Sequence, residues 1–262
     1  EPYELPLTIN RAIRVAMSPP MGPVHLAFYD RILDEGPIPT KIIPDTVPYP
    51  KAGLPSKEDI SYLANELAKA KRPLIFFGDG ISTNESIKTI SNLSENLGIP
   101  LCGNFFQNIL EHPMFCGAIN SIQDIQPDLL FCLGVTQMSG GDFIQKNDYK
   151  KFEIPEKIIL AGSNPDNLKP VPNLVSTILA DETHILNSLN SYFKKNISKS
   201  FSTRIKWAIN QSEKWKSNTR LAAQKSPKTS NSIRPFILAE ILDTELSNVG
   251  GGIISMEQYC VP

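Results

Sequence analysis

Few residues in this chain have the types and spacing that chemistry needs. Gly78-Asp79-Gly80 closes an apolar run and sets one carboxylate between two residues without side-chain bulk, with Asn104 and Asn108 downstream. A carboxylate and an amide are ligands an octahedral Mg²⁺ accepts, but two such groups at that separation arise readily by chance. As a dinucleotide fingerprint the turn is incomplete, since Thr83 stands where GxGxxG requires its third glycine and no acidic ribose partner is defined. The three histidines are too far apart for spacing to support a Cys-His or Ser-His pair. His25 falls in an apolar segment read as a strand, hence as a core or interface residue; His112 precedes Pro113 in a loop, and His184 sits in the first turn of a helix. Cys102, Cys116, Cys132 and Cys260 form no CxxC pair and read as reduced, buried thiols. The sequence therefore assigns no catalytic residue and no metal ligand. Gly78, Gly80 and Gly134, the last closing the apolar run DLLFCLG, are the candidates for touching a cofactor, a nucleotide if any.

The elements that position these glycines are strongly patterned. Leu74 to Phe77 is apolar without alternation, as in a parallel strand covered on both faces. The Gly78-Asp79-Gly80 turn leads from it into a helix with Ile87, Ile90, Leu93 and Leu97 on one face, ended by Gly98-Ile99-Pro100. Before it, Ser56 caps a helix whose stripe is Ile60, Leu63, Ala64 and Leu67, with Asp59 as a weaker capping-box acid. Further strands are expected at Leu101-Cys102, Asp128 to Leu133, Lys157 to Ala161 and Val175 to Leu179, then a helix from Thr183 to Phe193 capped by Asp181. Strands alternating with helices predict an α/β fold with a doubly wound parallel sheet.

The ends differ from the centre. Leu7, Ile9, Ala12, Ile13 and Ala16 predict an N-terminal helix, and Gly22 to Phe28 reads as a buried strand. A helix and one strand make no core, so this reads as the tail of a domain. A proline-rich segment from Asp34 to Pro55 reads as a stiff linker. Between residues 194 and 228 ten Lys or Arg face one acid, Glu213, and Trp207 and Trp215 punctuate a helix from about Thr203 to Ala223. A basic stretch with aromatics suits nucleic acid, but a solvated connecting helix with its tryptophans packed on a neighbour is the preferred reading. From Ser232 a helix with Ile233, Ile237, Ile241 and Leu242 leads into a strand at Ile253-Ile254. The expected division is 1–33, a linker 34–55, a central unit 56–195, a linker helix 196–230 and the start of a third unit, 231–262. With 26 basic and 27 acidic residues the net charge is −1, which gives no electrostatic reason to expect nucleic acid or a membrane surface as partner. A cytoplasmic location is expected.

In collinear order these pieces resemble the thiamine-diphosphate-dependent enzymes. RAIRVAMSPPMGPVHLAFYDRIL is similar to the end of their pyrimidine-binding domain. RPLIFFGDG, LSENLGIPLCGN, EHPMFCGAIN, PDLLFCLG and KIILAGSNPDNL follow their Rossmann-like central domain, and the last thirty residues look like the start of the diphosphate-binding domain. The resemblance implies partial α/β domains flanking the central one, and a decarboxylase or carboligase acting on a 2-oxo acid. It implies thiamine diphosphate and Mg²⁺ as cofactors, sites formed between subunits, and a homodimer or homotetramer. The cofactor-activating glutamate of the family would precede Glu1, and its Mg²⁺-diphosphate signature would lie beyond Pro262, so Gly78-Asp79-Gly80 is read as an imitation of it. The 262-residue chain alone is expected to be inactive. Glu257 and GPVHLAF look closer to benzoylformate-decarboxylase-like members. The alternatives are an acetolactate-synthase-like carboligase with FAD in the central domain, and a non-catalytic module that binds an adenine nucleotide or serves only structurally.

Overall fold

The computed structural model of the chain describes residues 2–30, 49–103, 109–118, 121–135, 155–196, 200–225 and 235–252. Contacts divide the chain into two compact units, Glu1–Ser212 and Glu213–Pro262.

The first unit is built on one five-stranded sheet. Its strands are β1 (Pro73–Phe77), β2 (Leu101–Gly103), β3 (Leu129–Leu133), β4 (Lys157–Gly162) and β5 (Leu174–Leu179). They lie in the order β2-β1-β3-β4-β5, and every pairing is parallel. Every residue of β1 and β3 is buried, which their unbroken apolar runs require. Leu74, Phe76, Cys102, Leu130, Cys132, Ile158 and Leu160 share one side with Cys116. Ile122 and Ile125 from the short helix α4 (Ser121–Ile125) and Trp207 pack against them. Alternation sends Ile75 and Phe77 to the opposite side, where they are also buried. Edge strand β5 exposes Val175 and Leu179.

The connecting helices follow local signals. Helix α2 (Lys57–Lys69) starts at Ser56, whose hydroxyl accepts the Asp59 amide at 3.0 Å, and buries Ile60, Leu63, Ala64 and Leu67. Helix α3 (Asn84–Leu97) opens with a capping box formed by Thr83 and Ser86 and ends at Gly98, whose φ of 64° suits glycine. Its buried face holds Ser86, Thr89 and Ser94 beside Ile90, Leu93 and Leu97, while Ile87 is only half-buried at the margin. Helix α5 (Glu182–Asn196) packs on both α2 and α3. Its first turn is capped by Asp181, whose carboxylate accepts the His184 amide at 2.9 Å.

Two expectations need correction. Helix α1 (Leu5–Met17) forms as its spacing predicts, yet it buries no residue and leaves Leu7 51% exposed. Gly22 to Phe28 is not a buried strand: it joins no ladder and all but the half-buried Leu26 are exposed, His25 included, which is thus not a core histidine. An apolar run becomes a strand only where a neighbour completes its hydrogen bonds, and the described residues offer none. The second correction concerns the basic stretch. Lys194, Lys195, Lys206, Lys214 and Arg220 are solvated, but Arg204, in helix α6 (Ser202–Lys225), is buried at 8% exposure.

Arg204 is a structural clamp. Its Nε donates to the Leu97 carbonyl and its Nη1 donates to the carbonyls of Leu67 at 2.7 Å and Ala70 at 3.1 Å, so one guanidinium serves the C-termini of α2 and α3. A cation is favoured there because the last carbonyls of a helix lack intrahelical partners and carry partial negative charge. The Phe201 ring lies 4.2 Å from the guanidinium, and burial pushes its pKa down to about 10, so it stays charged at neutral pH. In the second unit α7 (Pro235–Asn248) exposes Leu238 and Ile241. Ile253, Ile254, Glu257, Cys260, Asn104 and Asn108 lie outside the described residues.

Candidate functional site

In a doubly wound sheet the place for a ligand is the crevice beyond the C-terminal ends of the strands where the winding reverses. Here the reversal falls between β1 and β3, because β1 leads out to β2 on one side and β3 to β4 and β5 on the other. Gly78 and Gly80 follow β1, Gly134 follows β3 and Gly162 ends β4, so the three glycines singled out in the sequence meet there with a fourth. A cavity of about 260 Å³ opens at this point, lined among others by Asp79, Thr83, Ser163, Asn164, Asp181 and Glu182.

The approach is close enough to require glycine. A Cβ on Gly78 would stand 2.5 Å from the Gly134 oxygen, and one on Gly80 would stand 2.7 Å from both Gly134 Cα and Glu182 Oε1. Gly134 itself has φ of 62°, which L side chains rarely adopt. The amides of these glycines are engaged within the chain. Gly78 donates to the Leu133 carbonyl at 3.0 Å, Gly80 to that of Gly134 at 2.9 Å and Gly134 to that of Ala161 at 2.8 Å.

Glu182 is the residue that sequence reasoning missed. It is the first residue of α5, yet it is only 7% exposed, with its carboxylate laid over Gly80 and Gly162. Oε1 accepts the Ser163 amide at 2.9 Å and the Ser163 hydroxyl at 3.1 Å. Burial raises its pKa above the ordinary 4.5, against the lowering effect of the hydrogen bonds from Ser163 and from its own amide. Nothing in Asp-Glu-Thr-His distinguishes Glu182 from any solvated acid in a first helical turn. The available signal is indirect: four glycines at three strand ends leave a space that some group must fill.

The other candidates are not brought together. His184 is exposed on α5, whereas the His112 side chain is largely buried, with Nε2 3.4 Å from Glu95 and Nδ1 accepting the Met114 amide at 3.2 Å. Cys102, Cys116 and Cys132 are buried free thiols on the apolar side of the sheet, and burial pushes Cys102 and Cys132 upward, away from thiolate chemistry. No group of three or more metal-ligating side chains occurs among the described residues.

No protein-family model matches the chain. It is 24% identical over 214 residues to the oxalyl-CoA decarboxylase of Escherichia coli K12, covering 79% of this chain and 36% of that protein. It is 25% identical over 208 residues to a probable acetolactate synthase large subunit of Methanococcus aeolicus, covering 71% and 33%. Among solved structures it is similar to the thiamine diphosphate-dependent 4-hydroxybenzoylformate decarboxylase of Rhodococcus jostii RHA1, with a TM-score of 0.56 and 18% identity over 76% of this chain and 39% of that one. The chain is similar to these enzymes in sequence and shares its fold with a thiamine diphosphate-dependent one. Another structure with the fold is the benzoylformate decarboxylase of Polynucleobacter necessarius, at a TM-score of 0.54 and 20% identity over 73% of this chain and 36% of that one. The chain spans about a third of the length of the curated relatives it matches. No helix among the described residues is long and apolar enough to cross a membrane.

Proposed function

We propose that this chain supplies the central sheet of a thiamine-diphosphate-dependent 2-oxo-acid decarboxylase of the benzoylformate decarboxylase type. In this reading residues 56–195 are the central domain, 1–33 and 231–262 belong to the domains on either side, and 34–55 and 196–230 connect them. The observation that carries the proposal is the parallel sheet in the order β2-β1-β3-β4-β5, whose likeness to two benzoylformate-type decarboxylases accompanies a sequence match to family members over most of the chain. Thiamine diphosphate, held through Mg²⁺, would supply the electron sink for loss of CO₂ from the 2-oxo acid. Among the described residues no group of three or more His, Cys, Asp or Glu side chains stands ready for the Mg²⁺. Their part is to hold the flanking domains in register, in a cytoplasmic homodimer or homotetramer.

An acetolactate-synthase-like carboligase with FAD on Gly78, Gly80 and Gly134 is the alternative, supported by the match to the acetolactate synthase subunit. The carboxylate of Glu182 over these glycines disfavours it.

The test assays CO₂ release from benzoylformate and from pyruvate in two arms, each with thiamine diphosphate and Mg²⁺. One arm uses the 262-residue chain and the other the polypeptide encoded by its whole reading frame. Release only in the second arm, faster from benzoylformate and yielding benzaldehyde, is the expected result. Turnover by the 262-residue chain, or acetolactate as the product of the longer one, contradicts the proposal.

A further inference from the structure

The switch-point crevice has the shape of a nucleotide site and the electrostatics of its opposite. A phosphate needs free backbone amides at a turn or helix N-terminus, or a cationic side chain. The amides of Gly78, Gly80 and Gly134 donate to carbonyls. Those of Thr83, Ser163 and His184 donate to Ser86, Glu182 and Asp181. Among the described residues that line the cavity there is no Lys or Arg, while Asp79, Asp181 and Glu182 contribute carboxylates. The room that glycines leave for a pyrophosphate to approach the backbone is already filled, since Glu182 Oε1 sits where a Cβ of Gly80 or Gly162 would meet it at 2.7 or 3.2 Å.

We infer that Glu182 is an internal anion standing in the phosphate position of this crevice, and that it makes the central domain refuse nucleoside diphosphates and dinucleotides. The carboxylate takes the two donors of Ser163, lies at the N-terminus of α5 and fills the glycine-lined space, so it satisfies each feature a phosphate would have used. This assignment concerns the ligand class of the crevice and holds whichever 2-oxo acid the complete enzyme decarboxylates.

Calorimetric titration with ADP, and separately with FAD, tests it on the wild-type chain, Glu182→Ala and Glu182→Gln. The wild type is expected to bind neither. Glu182→Ala, which empties the space and frees the Ser163 donors, should bind ADP at least about tenfold more tightly than wild type, the scale of one or two recovered charge-assisted hydrogen bonds. Glu182→Gln keeps the volume and should stay silent. Saturable binding of ADP or FAD by the wild-type chain overturns the inference without reference to any variant's folding. So does a Glu182→Ala protein that melts as cooperatively as wild type and gains no ADP affinity.

Discussion

Glu182 stands in the first turn of a helix, where unsatisfied amides favour a carboxylate, and it accepts two hydrogen bonds from Ser163. Burial acts the other way and is the larger effect, so its pKa lies above the ordinary 4.5. The folded state therefore holds this proton at pH values where the unfolded chain has released it. Stability from this residue is then full below pH 4.5 and is lost as pH rises from 4.5 through the raised folded value. Urea unfolding of wild type and Glu182→Gln across a pH series checks the sign. The wild type should weaken relative to the variant as pH climbs through that window and level off above it. A wild type that strengthens over the same interval would show that the hydrogen bonds outweigh burial. The residue was invisible in the sequence because its environment is made by three strand ends distant in the chain.

Helices α2 and α3 end beside α6, and Arg204 joins all three through the carbonyls of Leu67, Ala70 and Leu97. Replacing Arg204 with Met keeps much of the volume and leaves those carbonyls without their cation. The expected cost is roughly 2–4 kcal/mol, read as a lower urea midpoint at unchanged slope. A shift within experimental error would mean that water replaces the guanidinium and that α6 docks through other contacts, such as the Ser212 hydroxyl on the Phe115 carbonyl at 2.7 Å. At this scale the sequence was informative where local rules decide. The stripe of α2, the run Leu74 to Phe77, the cap at Ser56 and the left-handed Gly98 all follow from spacing and residue type. It misled where the partner decides. Gly22 to Phe28 is apolar enough for a strand but finds no ladder among the described residues, and Arg204 is one basic residue among ten whose depth no composition reveals.

The central unit is legible as a whole because its apolar strands recur between helices at the spacing a parallel crossover needs, and that pattern fixes a doubly wound sheet. The convergence of Gly78, Gly80 and Gly134 was suggested by their places at strand ends, but what fills the space between them was not. The likeness to thiamine-diphosphate-dependent enzymes rests on the collinear order of many weak matches. The role proposed for the chain rests on it forming the central sheet of an enzyme whose chemistry resides in thiamine diphosphate. Cofactor dependence tests that most directly. The polypeptide encoded by the whole reading frame should lose benzoylformate decarboxylation on dialysis against a chelator, and recover it only when thiamine diphosphate and Mg²⁺ are both returned. Activity that survives complete removal of thiamine diphosphate would contradict the account.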